Sequence, residues 1–117
     1  METTKDIWQD IKRRAGIPEV TARWVSNNVD RVRLIDVREP AELVGVLGQI
    51  EDSESVPLGT LGMAIDTWNK EEPIVVICRS GGRSGRAAQY LEQHGFKYVA
   101  SMDGGMLTWN EEGLPLG

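Results

Sequence analysis

Cysteine, histidine and phenylalanine each occur once in this 117-residue chain, and no apolar run approaches 18 residues. The single cysteine, Cys78, excludes an internal disulfide and a multi-cysteine metal site. The missing long apolar run excludes a membrane-spanning helix. The segment Met1–Trp8 has no basic region followed by an apolar core, so no secretory signal is visible and the cytoplasm is the expected compartment. Cations are also in short supply, with 13 Lys and Arg against 18 Asp and Glu. A net charge of −5 does not suit a general nucleic-acid binder. Neither internal repeats nor low-complexity segments occur. What is present is ordinary for one globular domain: 40% hydrophobic and 26% charged residues, enough for a single core.

The chemistry concentrates in one stretch, Cys78-Arg79-Ser80-Gly81-Gly82-Arg83-Ser84. The apolar run Pro73–Ile77 before it reads as a short buried strand. Residues Ser84 to His94 behind it read as an amphipathic helix closed by Gly95. The cysteine thus falls where a strand ends and a helix begins. A thiolate there meets the helix N-terminus, backbone N–H groups and two guanidinium charges, all of which lower its pKa. Gly81 and Gly82 let successive N–H groups curl around the sulfur, a nest suited to a sulfur anion or small dianion. A thiolate already formed needs no general base. His94 lies about ten residues down the helix, too far for a Cys–His pair, and reads as a polar helix end. No metal or cofactor is expected.

Elsewhere the pattern alternates short strands and helices, which implies a mainly parallel sheet covered on both faces. Residues 4 to 15 predict a leading helix stopped by Gly16, with Ile7, Trp8, Ile11 and Ala15 at helical spacing. Ile17–Val20 predicts an edge strand, since it carries Pro18. Thr21 caps a helix through Asn27, and Val32–Val37 is a buried strand. A short helix starts at Pro40, an irregular acidic loop covers Gly45–Ser55, and residues 60–69 are helical. Tyr98–Ser101 is the last strand, Asp103-Gly104-Gly105 a turn, and Met106–Glu112 a closing helix. Trp8, Trp24, Trp68 and Trp109 fit helix faces in the core.

Three blocks together resemble the single-domain rhodaneses: Asp36-Val37-Arg38-Glu39-Pro40-Ala41-Glu42, the cysteine loop, and Asp103-Gly104-Gly105-Met106-Leu107-Thr108-Trp109. The likeness spans residues 36 to 115, with weaker agreement from about residue 17. It implies an α/β, rhodanese-like fold with a mainly parallel five-stranded sheet and helices on both faces. Residues 17–117 would form that domain and residues 1–16 a helical N-terminal extension. It further implies a sulfurtransferase that carries sulfur as a persulfide on Cys78. The partners implied are a small donor such as thiosulfate, and cyanide, a thiol or a protein as acceptor, with no nucleic acid and no membrane. Arg79, Ser80, Gly81, Gly82, Arg83 and Ser84 would form the sulfur cradle. By the same resemblance Asp36 would hold Arg83 by an ion pair, leaving Arg79 to meet the donor anion. Arg38 and Glu39 stand between a solvated surface pair and a role at the site mouth.

Two other readings compete. The related dual-specificity phosphatases and arsenate reductases place one more residue between cysteine and arginine than the four found here between Cys78 and Arg83. A shorter ring narrows the cradle towards a lone sulfur atom, which favours sulfur transfer. A non-catalytic binding module is the third reading, against which the intact cysteine loop argues. The chain departs from the rhodanese pattern over Gly48–Leu58, where a Gly-His-Ile-Pro-Gly-Ala turn is usual; Gln49 stands in place of the histidine, and the altered loop covers residues 49–55. Its acidic run Glu51–Glu54 reads as solvated loop or, alternatively, a docking surface for a basic partner. Because there is no second cysteine, the sulfur acceptor must come from outside the chain.

Overall fold

The centre of the fold is β5 (Ile74–Ile77), four β-branched residues whose side chains are all fully buried. Such a run has no solvent face, which suits a parallel strand covered on both sides. The structure, a computed structural model, describes residues 3–117. Around β5 the chain runs α1 (Thr4–Ile7), β1 (Lys12–Arg14), β2 (Ile17–Val20), α2 (Ala22–Asn27), β3 (Arg33–Asp36), α3 (Pro40–Leu43), β4 (Glu54–Ser55) and α4 (Leu61–Ala64). After β5 come α5 (Gly82–Gln93), β6 (Val99–Met102) and α6 (Gly105–Glu111). The sheet order is β1-β2-β6-β5-β3-β4, antiparallel only between β1 and β2. Among the described residues no helix is long and apolar enough to cross a membrane.

Period-two alternation sorts the strand side chains into two cores. Ile35, Val37, Ile74, Val76, Cys78 and Val99 pack with Leu61 of α4 and Ala87, Ala88 and Leu91 of α5. Leu34, Val75, Ile77, Ala100 and Met102 pack on the other face with Ala22 and Val25 of α2 and Met106 and Trp109 of α6. The expected α/β architecture with helices on both faces is what the chain forms. Cys78 continues the register of Ile74 and Val76, so it faces α5.

The N-terminal stretch differs from the expectation. The helix predicted over residues 4–15 stops at Ile7 and gives way to one tight turn, Trp8–Asp10. Residues 12–14 are instead a strand, raising the expected five strands to six. Gly16 does not end a helix; with Ala15 it forms a two-residue hairpin, both at positive φ (81° and 52°), the geometry whose twist joins antiparallel strands. The three exposed side chains Lys12, Arg13 and Arg14 carry no burial signal that would have separated strand from helix. With β1 on its flank, β2 is an inner strand rather than the expected edge. Pro18 is tolerated because the pairing of β2 with β6 begins only at Glu19, beyond the residue that lacks an N–H.

Candidate active site

The C-terminal ends of β3, β5 and β6 lie together, and the loop Cys78–Gly81 leaves the middle one. Gly81 at φ 108° caps α5, a conformation open to glycine and strained for other residues. That turn folds the chain back so that the Gly81 N–H donates to Cys78 Sγ at 3.0 Å. Ser84, in the first turn of α5, places its hydroxyl 3.4 Å from the same sulfur. Cys78 is a free thiol and 1% exposed.

Burial alone pushes the Cys78 thiol up. Hydrogen bonds from the Ser84 hydroxyl and from the N–H groups of Ser84, Gly81 and Ser80 overcome it and leave the pKa below the ordinary thiol value. The thiolate is therefore held by a nest of donors. The Arg83 guanidinium, though hydrogen-bonded to Glu42, also interacts electrostatically with the Cys78 thiolate.

Arg83 makes a two-pronged ion pair with Glu42 of α3, both N–O distances being 2.8 Å. The pairing of Arg83 with Asp36 expected from the family resemblance is therefore not the one the chain makes. The reason lies in strand alternation: Leu34 and Asp36 point to the α2/α6 face, whereas Arg83 rides on α5 across the sheet. Asp36 pairs instead with Arg38, two residues on and on its own face. Arg38 Nε donates to Asp36 Oδ1 at 3.0 Å and Nη2 to Oδ2 at 2.8 Å, and both side chains are 1% exposed. The same guanidinium donates to the Gly48 carbonyl at 2.8 Å, tying the loop after α3 to the sheet. Arg38 is thus no solvated surface residue; Glu39 alone is exposed, its N–H donating to Glu42 Oε2.

Arg79 is exposed, and no carboxylate pairs with it among the described residues. It lines a hollow of about 200 Å³ with Arg38, Glu42, Val46 and Leu47. The floor under the loop comes from α6. Its Met106 and Leu107 N–H groups donate to the carbonyls of Cys78 and Arg79 at 2.9 and 3.0 Å. Gly105 lets α6 approach that closely: a β-carbon there would stand 2.5 Å from both carbonyl oxygens. Among the described residues no group of three His, Cys, Asp or Glu side chains is placed to hold a metal.

Sequence reasoning brought Cys78, Ser80, Gly81 and Ser84 to one site, and the fold places them there. It missed Glu42 as the partner of Arg83, Gly105 as the residue that admits α6, and Ser101. The Ser101 side chain, fully buried on β6, lies 2.7 Å from the Ser84 hydroxyl. Alternation along β6 carries the only signal for it, since Val99 and Ser101 share the face of Cys78.

The chain is similar to known proteins in sequence and in fold. Residues 21–112 match the family model described as a rhodanese-like domain. A protein of Allochromatium vinosum named sulfurtransferase is 35% identical over 89 residues, covering 76% of this chain and 81% of that protein. The crystal structure of a rhodanese-related protein from Thermoplasma volcanium superposes with a TM-score of 0.76 at 32% identity, covering 83% of this chain and 94% of that one. A Rhodopseudomonas palustris protein of unknown function, described as a possible tyrosine phosphatase, superposes with a TM-score of 0.80 at 26% identity. It covers 99% of this chain and 95% of that one.

Proposed function

The chain belongs to the rhodanese-like domain family, and from that membership we propose that it is a sulfurtransferase working through a persulfide on Cys78. The observation that carries the reading is the donor nest: Cys78 Sγ receives the Gly81 N–H at 3.0 Å and sits within reach of the Ser84 hydroxyl. In the first step the thiolate attacks the outer sulfur of a donor such as thiosulfate. A bond forms between Cys78 Sγ and that sulfur, the sulfur–sulfur bond of the donor breaks, and sulfite leaves with the electron pair. The charge that moves to the outer sulfur stays over the N-terminus of α5 and its N–H groups. In the second step an external nucleophile (cyanide, a thiol or a protein thiol) takes the outer sulfur and returns the thiolate. Arg79, exposed on the loop itself, meets the incoming donor anion. The cytoplasm, where thiols stay reduced, is the compartment that suits an unpaired reactive cysteine.

The phosphatase reading is disfavoured by Arg83. A tetrahedral oxyanion in the cradle needs a free guanidinium, and Glu42 holds both terminal nitrogens of this one. Thiocyanate formation from thiosulfate and cyanide, beside hydrolysis of a phenyl phosphate ester, tests the assignment. Wild type should release thiocyanate and leave the ester intact, and Cys78→Ser should release no thiocyanate and likewise leave the ester intact. Arg79→Ala should raise KM for thiosulfate with little change in kcat or melting temperature. Ester hydrolysis that depends on Cys78, without thiocyanate, would overturn the assignment.

A further inference from the structure

We infer that Ser101 is a positioning residue, whose buried hydroxyl directs the Ser84 hydroxyl at the Cys78 sulfur. The inference rests on the reading of Cys78 as the working nucleophile, but it concerns the ionisation of the thiol rather than sulfur transfer.

The argument is a count of hydrogens. Ser84 has one hydroxyl hydrogen and three acceptors around it: Cys78 Sγ at 3.4 Å, the Gly81 carbonyl at 3.3 Å and Ser101 Oγ at 2.7 Å. The nearest of the three is Ser101, so a lone Ser84 hydrogen pointed there would leave the sulfur without its side-chain donor. Ser101 is fully buried, and Ser84 Oγ is the one partner its hydroxyl has among the described residues. A buried hydroxyl hydrogen without an acceptor is costly. The Ser101 hydrogen therefore points at Ser84 Oγ, which frees the Ser84 hydrogen to turn to the sulfur. Donation then runs Ser101 to Ser84 to Cys78, each bond polarising the next. In the thiol form Cys78 and Ser101 both donate to Ser84 Oγ, and the Ser84 hydrogen turns to the Gly81 carbonyl. The Ser84 hydrogen thus has one position for each protonation state of the sulfur.

The strands set this up. Val76 lies opposite Ser101 in the pairing of β5 with β6, and Cys78 is two residues further on the same face. The charged groups around the sulfur come from several elements: Arg79 in the loop, Arg83 on α5 with Glu42 of α3, and the Asp36–Arg38 pair across the sheet. Beside β6 stand Asp103 and Glu19, both paired with Arg14. None of them hydrogen-bonds to Ser84 or Ser101 among the described residues, so the relay is separable from them by mutation.

With one cysteine in the chain, thiolate absorbance near 240 nm and the rate of alkylation by iodoacetamide both report Cys78 alone. Titrating either against pH should move the Ser101→Ala midpoint upward, with roughly a three- to tenfold drop in the thiolate-to-thiol ratio. Ser84→Ala should move it at least as far. The double variant should move no further than Ser84→Ala, because Ser101 acts through Ser84. Ser101→Thr, which keeps the hydroxyl, should stay near wild type, while Ser101→Val, its match in shape, should follow Ser101→Ala. A wild-type midpoint in Ser101→Ala would overturn the inference, as would shifts of Ser84→Ala and Ser101→Ala that add in the double variant. Titration does not depend on sulfur transfer. A relay that behaves as described in a protein that forms no persulfide would sink the proposed function and leave this inference standing.

Discussion

Replacing Arg38 with methionine tests the least anticipated part of the structure, the buried ion pair beneath the site. In the native chain the Asp36 carboxylate takes Arg38 Nε at 3.0 Å, Nη2 at 2.8 Å and the Arg38 backbone N–H at 3.1 Å. Arg38→Met removes the first two and leaves a carboxylate that is 1% exposed with one backbone donor. Breaking one side of such a pair costs about 3–5 kcal/mol, because a buried charge is left unmatched. The Gly48 carbonyl also loses its 2.8 Å donor, so the loop after α3 comes free. Set against a typical domain stability of about 5–15 kcal/mol, that is about a fifth of the total or more. At about 4 °C per kcal/mol for a domain near this size, the melting temperature should fall by about 12–20 °C. Circular dichroism melts and urea titrations, with the m-value compared, provide the measurement. Asp36→Asn combined with Arg38→Met removes the stranded charge and should recover part of the loss. An Arg38→Met protein that melts within about 3 °C of wild type would refute the reasoning, as would a double variant less stable than the single one.

Three further outcomes follow from particular contacts. Arg83, hydrogen-bonded to Glu42, pulls that carboxyl from its usual 4.5 to about 2. A lowered carboxylate pKa stabilises the fold above the unfolded value and loses that contribution as pH falls through the folded one. Glu42→Gln should therefore cost about 1 kcal/mol at pH 7, the pair being partly solvated, with the gap to wild type closing as pH falls towards about 2. Denaturant titrations that stay parallel from neutral to acid pH would count against it. Gly105→Ala drives a β-carbon into the Cys78 and Arg79 carbonyls at φ 57°. It should cost more than about 2 kcal/mol and lower sulfur transfer at least tenfold, read by melting and thiocyanate release; wild-type values in both would contradict the role given to Gly105. Alkylation of wild-type Cys78 should reach half its maximal rate below the pH of a free cysteine peptide. A midpoint at or above that of the peptide would contradict the donor nest.

How far the chain could be read beforehand depended on whether neighbours along the sequence or across the sheet decide the matter. The β5–loop–α5 unit was legible because its signals are local: β-branched residues, then two glycines, then a helical stripe. Cys78 at the strand end follows directly from that order. The hairpin of β1 and β2 was hidden because Lys12–Arg14 are exposed and Gly16 serves equally well as a helix stop or a turn residue. The ion pairs failed for another reason. Asp36, Glu42, Arg38 and Arg83 can pair in more than one way, and the choice rests on which face each strand residue takes. Alternation from Leu34 through Asp36 to Arg38 contains that information, but it becomes usable only once the positions of α5 and α6 are known. Ser101 had no local mark at all; its part depends on β6 lying beside β5, a long-range fact.

The most direct test of the account is the intact mass of the protein after incubation with thiosulfate, for wild type and for Cys78→Ser, followed by cyanide. The account predicts a gain of one sulfur on wild type alone, removed by cyanide with an equal amount of thiocyanate released. No adduct on wild type with either thiosulfate or polysulfide, or the same adduct on Cys78→Ser, would contradict persulfide transfer through Cys78.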